Sequence, residues 1–147
     1  MKKQRKANIN RITKETNISL TLNLDGTGKY SIETGMDFFD HMLTHIAKHG
    51  SFDLNIRAKG DRIPDMHHLV EDVGIVLGEA FKKAIGDKKG INRYGSASVP
   101  MDESLVNVSL DLSGRPFLSF KGIKVEKKKI GDFDDDLAEE FLRAFTN

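Results

Sequence analysis

Apolar and polar residues alternate from Arg11 to Leu24, with Ile12, Ile18, Leu20, Leu22 and Leu24 on one parity and Thr13, Asn17, Ser19, Thr21 and Asn23 on the other. A period of two predicts a strand with one buried face. Asp25-Gly26-Thr27-Gly28 predicts a tight turn, because glycine accepts the positive φ that short hairpins need, and Lys29 to Thr34 returns as a second strand. Asp37 is the expected N-cap of a helix whose apolar residues Phe38, Phe39, Met42, Leu43 and Ile46 recur at helical spacing, with Gly50 as its C-cap. Phe52 to Ala58 alternates again, with Phe52, Leu54, Ile56 and Ala58 inward, which predicts a third strand. A loop from Gly60 to Pro64 leads into a helix from His67 to about Ile85, its core stripe being Leu69, Val70, Val73, Val76, Leu77, Ala80 and Phe81. Gly74 and Gly78, four apart, either let another element approach closely or are weak helix positions tolerated by packing.

After a linker at Gly86 to Gly90 the pattern begins again. Leu105 to Leu112 alternates, Ser113 to Pro116 turns, Phe117 to Phe120 returns, and Asp132 to Asp136 opens a helix with Leu137, Ala138, Phe141, Leu142 and Phe145 inward. Setting Leu24-Asp25-Gly26 on Leu112-Ser113-Gly114, and Met42-Leu43 on Phe141-Leu142, brings His41 opposite Glu140. The expectation is an α+β chain built as a tandem repeat, with one unit over residues 1–88 and a second over 89–147. The second unit has no counterpart to the strand from Phe52 or to the His67-His68 helix, so the chain reads as a truncated form.

Composition narrows the function classes. Twenty-three basic and 22 acidic residues nearly cancel, which removes the electrostatic case for nucleic acid or an acidic membrane surface. No cysteine is present, so disulfides and thiolate metal sites are excluded. The basic start from Lys2 to Lys6 reads as a solvated tail, since no apolar run follows it to make a signal peptide. No segment reaches the ~18 apolar residues of a membrane span. A cytoplasmic protein is expected. Lys124 to Lys129 reads as a solvated edge strand, and Asp132 to Asp136 as acidity that complements a helix dipole.

Chemistry concentrates in the histidines. His67 and Glu71 are four apart, on one face of a helix, and His68 and Asp72 repeat the spacing about 100° round. Neutral imidazole with carboxylate suits borderline divalent ions, and adjacent histidines point apart, so two metals are expected. Upstream, His41, His45 and His49 form a row at i, i+4 and i+8.

These positions fall within a larger set of motifs. Thr13 to Thr16 with Glu15, Thr34-Gly35 through Phe39-Asp40-His41-Met42-Leu43, His49-Gly50, Gly60-Asp61 and His67-His68-Leu69-Val70-Glu71-Asp72 come first. Arg93-Tyr94-Gly95, Pro100-Met101-Asp102-Glu103 and Asp111 through Pro116 follow in order. Together they resemble imidazoleglycerol-phosphate dehydratase of histidine biosynthesis over nearly the whole chain from Arg11.

The resemblance implies two similar halves, each a four-stranded sheet backed by two helices (ribosomal S5 domain 2-like), and a homo-oligomeric shell of 24 subunits with dinuclear manganese sites between subunits. It implies dehydration of D-erythro-imidazole-glycerol phosphate to imidazole-acetol phosphate, a small-molecule phosphate substrate. By position, His41, His67, His68, Glu71 and Glu140 resemble metal ligands for Mn2+ or another divalent ion. Glu15 resembles the acid/base residue. Arg93 and Arg115 resemble phosphate-binding arginines, and His49, with His45 less clearly, lies in a substrate-lining segment; His41, His67, His68 and Glu71 also contact substrate there. The family's second His-His-x-x-Glu helix is absent, so the metal-binding half should be incomplete by itself.

The proton lost in such a dehydration is not adjacent to a carbonyl, so an azole ring held by Lewis-acidic metals supplies the electron sink, and a carboxylate moves the proton. Two rival readings use the same residues. A dinuclear metallohydrolase would activate water with a similar ligand set, and an inactive assembly or metal-binding fragment would retain the shape without turnover. Arg93, Arg115 and Glu15, each taken alone, would also serve as ordinary surface residues.

Overall fold

The structure, a computed structural model, describes residues 4–60, 66–122 and 128–147. Strands β1 (Lys6–Ile12), β2 (Thr16–Asn23), β3 (Tyr30–Glu33) and β4 (Asp53–Gly60) form one sheet in the order β1-β2-β4-β3. Helices α1 (Asp37–Gly50) and α2 (His67–Ile85) back it. The second part of the chain adds the hairpin β5 (Tyr94–Met101) with β6 (Ser104–Asp111), the two-residue strands β7 (Lys129–Ile130) and β8 (Phe133–Asp134), and helix α3 (Asp136–Thr146). The mixed α+β class with a four-stranded sheet and two helices is as expected.

The sheet is built differently from its sequence pattern in two places. The stretch expected as one strand from Arg11 is two antiparallel strands, because Thr13 to Glu15 turns the chain between them. Thr13 donates its N–H to the Thr16 carbonyl at 2.8 Å to close that turn. Polar β1 hides its own alternation, with Ala7 buried and Ile9 half-buried, and Ile12 points the other way at 75% exposure. The residues expected as a free tail are therefore partly in the sheet: Arg5 accepts the Leu24 N–H at its carbonyl, and its guanidinium pairs with Asp25 at 2.7 Å.

The turn at residues 25–28 does not make a hairpin. β4 inserts between β2 and β3, antiparallel to the first and parallel to the second. Asp53, at the start of β4, takes over the loop: its carboxylate accepts the N–H groups of Thr27 (2.8 Å) and Lys29 (3.1 Å) and a hydrogen bond from Asn23 (3.2 Å). These bonds hold its carboxyl below the usual carboxylate range, the Thr27 N–H contributing most.

At α1 the caps move by one residue. Met36 is the N-cap and Asp37 the first helical residue, while Asp40 reaches back to accept the Thr34 N–H (3.0 Å) and hydroxyl (2.5 Å). Ser51, at φ 54°, takes the left-handed C-cap position expected of Gly50. Met42 of the expected stripe is exposed. On α2 the stripe is as expected, with Leu69, Val70, Val73, Val76, Leu77 and Ala80 fully buried and Phe81 packed at the edge.

The glycines of α2 admit a neighbour. A Cβ at Gly74 would lie 2.8 Å from the Phe141 carbonyl oxygen, and one at Gly78 would meet the Phe145 carbonyl, so α3 sits directly on this face. Leu137, Phe141 and Ala144 are its buried residues, Ala138 being exposed. Phe39 of α1 meets Phe141 edge-on, with ring centroids 5.5 Å apart.

In the second part, β6 pairs with β5 through the turn at Asp102-Glu103, and Phe117 to Phe120 forms no strand. The alternation of β6 was legible, but Ser96, Ser98 and Pro100 disguise β5. β5 and β6 begin 88 residues after β1 and β2 (Lys6 to Tyr94, Thr16 to Ser104). The Gly60 to Pro64 loop beyond its first residue, the start of the Lys2 tail and most of the Lys124 to Lys129 segment lie outside the described residues.

Candidate active site

The first turn of α2 and the β1–β2 turn face each other across a cleft of about 190 Å³ lined by Arg11, Thr13, Glu15, His68, Glu71 and Asp72. The β1–β2 turn has a specific cause. Thr13 Oγ1 accepts the backbone N–H groups of Glu15 (3.2 Å) and Thr16 (2.9 Å), a side-chain-held turn that presents Glu15 outward. Glu15 is exposed. On the α2 side, His68 and Glu71 line the cleft, and His67, just outside its lining, has its Nε2 3.8 Å from Glu71 Oε2 at i, i+4 spacing. The His67 and His68 ring centroids are 6.1 Å apart, with the ring planes nearly perpendicular. Asp72 does not join His68: it turns inward to Arg11, 2.8 Å away, and to Thr16.

Within one chain the remaining site residues lie elsewhere. His41, His45 and His49 line an exposed face of α1, with ring centroids 4.4 and 5.3 Å apart. His45 titrates below the ordinary imidazole value, chiefly through desolvation and then through His41, His49 and Lys48. Glu140 is half-buried on α3. Among the described residues no three histidine or carboxylate side chains converge as a metal cluster. Imidazole and carboxylate side by side at the start of α2 fit a borderline divalent ion in chemistry, and supply part of a coordination shell.

Arg93 and Arg115 lie on the second part of the chain. Arg93 makes a two-pronged bond to Asp111 (2.7 and 3.2 Å) and stacks over Tyr94. Asp111 is held below the usual carboxylate range by that hydrogen bond first, with Arg93, Arg115 and Lys88 adding positive charge around it. Lys88 was passed over in the sequence as a linker residue. Asp72, read from the sequence as the partner of His68, lines the cleft in another role, and Arg11 was given none; the Thr-x-x-Thr spacing of Thr13 and Thr16 was the available signal for the turn that carries Glu15.

The family model of imidazoleglycerol-phosphate dehydratase matches residues 34–147. The chain belongs to the imidazoleglycerol-phosphate dehydratase family. A relative of that name from Pelobacter propionicus is 57% identical over 143 residues, 97% of this chain and 73% of the relative. One from Acetivibrio thermocellus is 58% identical over 140 residues, 95% of this chain and 71% of the relative. The crystal structure of the Staphylococcus aureus dehydratase superposes with a TM-score of 0.81 at 39% identity, covering 96% of this chain and 77% of that one. The Pyrococcus furiosus structure gives 0.78 at 36% identity, covering 93% and 72%. Imidazoleglycerol-phosphate dehydratases are hydro-lyases of histidine biosynthesis, so the resemblance and the enzyme class read from the sequence are borne out. No helix among the described residues is long and apolar enough to cross a membrane.

Proposed function

We propose that this chain carries the metal-dependent dehydration of D-erythro-imidazole-glycerol phosphate to imidazole-acetol phosphate, with Glu15 moving the proton and His67, His68 and Glu71 facing the metals. One observation carries the reading: Glu15, His68 and Glu71, 53 or more positions apart across the two elements in the chain (15 against 68 and 71), line the same cleft. Mn2+ is the metal expected, and when bound it supplies Lewis acidity and a template for the azole. Glu15, exposed on a turn held from below by Thr13, can approach a substrate carbon without losing a side-chain partner among the described residues.

The cleft is smaller than the ~300–1,000 Å³ of ordinary ligand pockets, which favours a site completed by other copies of the chain. His41 and Glu140 would then complete metal shells, and His45 and His49 would line substrate, in a homo-oligomer of up to 24 subunits in the cytoplasm. Arg93 and Arg115 would hold the phosphate; Arg93 must first exchange its Asp111 carboxylate for the phosphate oxygens, for which its fork is equally suited. We read residues 1–88 and 89–147 as two copies of one unit, supported by the shared offset of their hairpins. The second copy's hairpin lacks a cover among the described residues, and on this ground the 147-residue form is expected to be impaired; an assembly fragment is the second reading.

The test is turnover of imidazole-glycerol phosphate by the purified chain before EDTA, after EDTA, and after Mn2+ is restored. EDTA should abolish turnover and Mn2+ restore it, and Glu15→Gln should lower it by about 100-fold or more. Mn2+ binding should survive Glu15→Gln and fail in His67→Ala. Turnover unaffected by Glu15→Gln sinks the proton role, and turnover equal to a full-length relative sinks the impairment.

A further inference from the structure

Asp72 is a carboxylate at 8% exposure, next to Glu71 on α2, and the function proposed above gives it no task. Both its oxygens reach the β1–β2 hairpin. Oδ1 accepts from Arg11 Nε at 2.8 Å, and Oδ2 accepts from the hydroxyl of Thr16, itself buried. The order of protons follows from what each group can do. A carboxylate facing a guanidinium only accepts, so the single hydroxyl proton of Thr16 is committed to Asp72. The Thr13 and Thr16 hydroxyl oxygens are 3.1 Å apart, so the proton between them must come from Thr13. Thr13 Oγ1 in turn accepts the N–H groups of Glu15 and Thr16. One directed chain of hydrogen bonds therefore runs from the Glu15 backbone through Thr13 and Thr16 to Asp72.

We propose that Asp72 is a positioning residue: it seats the Glu15 turn against the first turn of α2 and so sets where the Glu15 carboxylate stands relative to His68 and Glu71. The inference rests on the roles given to those three residues above. The hairpin itself does not need this clasp to close, since its other end is tied by Arg5 to Asp25. Among the described residues, only the end bearing Glu15 is pinned to α2 by a buried charge. Such a bond is stronger than a neutral one and tolerates little displacement.

The test compares Asp72→Asn and Thr16→Val with Arg5→Ala, which loosens the far end of the same hairpin. Thr16→Val keeps the Arg11–Asp72 pair, so it serves if Asp72→Asn folds poorly. In metal-free protein, amide exchange over residues 12–17 should rise by about tenfold or more in both variants, as expected for loss of one charge-assisted hydrogen bond. Arg5→Ala should leave that segment unchanged. In ¹⁵N-labelled protein at matched Mn2+ occupancy, broadening of the Glu15 amide relative to the α2 amides should fall several-fold in Asp72→Asn. Unchanged exchange at 12–17 overturns the proposal. Acceleration spread evenly over the sheet, in step with the urea midpoint, also overturns it by making Asp72 a general stabiliser. If the parent binds no Mn2+, the metal reading fails by itself, and the exchange arm still decides the clasp.

Discussion

The hairpins β1–β2 and β5–β6 start 88 residues apart and are paired in the same antiparallel way, yet their apolar faces have opposite surroundings. Ile18, Leu20 and Leu22 are at most 1% exposed, whereas their counterparts Val106, Val108 and Leu110 are 59, 45 and 55% exposed. The residues are equally apolar. The difference is α2, which lies across the first hairpin, while nothing among the described residues lies across the second. Alternation specifies which face a strand offers; another element must supply the cover. Each covered side chain gains about 1.5–3 kcal/mol, and a two-stranded hairpin without cover is marginal in water.

That contrast is sharpest in matched truncations. Leu20→Ala should cost about 2–5 kcal/mol in urea unfolding, and Val108→Ala should stay within about 0.5 kcal/mol. A Val108→Ala cost comparable to that of Leu20→Ala would mean that the second face is covered in solution, by another copy or another segment.

A smaller difference should appear at glycines. Alanine ordinarily improves a helix by about 1 kcal/mol over glycine, but at Gly78 the added methyl meets the Phe145 carbonyl. Gly78→Ala should therefore destabilise by about 1–3 kcal/mol, the range for overpacking. Gly95→Ala, with nothing within 4 Å, should not. Thermal melts of the pair would decide; a stabilised Gly78→Ala would show that α3 does not sit on α2.

The least effect is expected from acid. Asp53 and Asp111 both have depressed folded-state values, so each contributes stability that is present above the ordinary carboxylate pKa of about 3.9 and lost as pH falls through its folded value. Asp53 ties a loop into the covered sheet, so Asp53→Asn should flatten the acid side of the global stability curve. Asp111 sits on the bare hairpin, so Asp111→Asn should change local amide exchange around β5 and β6 and leave global unfolding unmoved. Equal effects on global unfolding would join the two hairpins into one cooperative unit.

How much could be read from the sequence follows the same division. The buried stripe of α2 was legible because its period is unbroken from Leu69 to Phe81, and so were the inward positions of β4. The pairing of β3 was not, because Asp25-Gly26-Thr27-Gly28 carries local hairpin chemistry, whereas the loop is organised by Asp53, at least 24 residues further on. β5 was missed because serines occupy its alternate positions. At the site, the i, i+4 relation of His67 and Glu71 was a local property and held. The inward turn of Asp72 was not local: it depends on Arg11 and Thr16, 61 and 56 residues away.

The seat of α3 on Gly74 and Gly78 also divides the molecule along a line the chain order conceals. A break near residue 88 looks like a natural place to cut, but α3 packs in space on α2, which precedes that point. Severing the chain there would leave two glycines of α2 facing water where backbone now presses, and would take from α2 a wall contributed by α3.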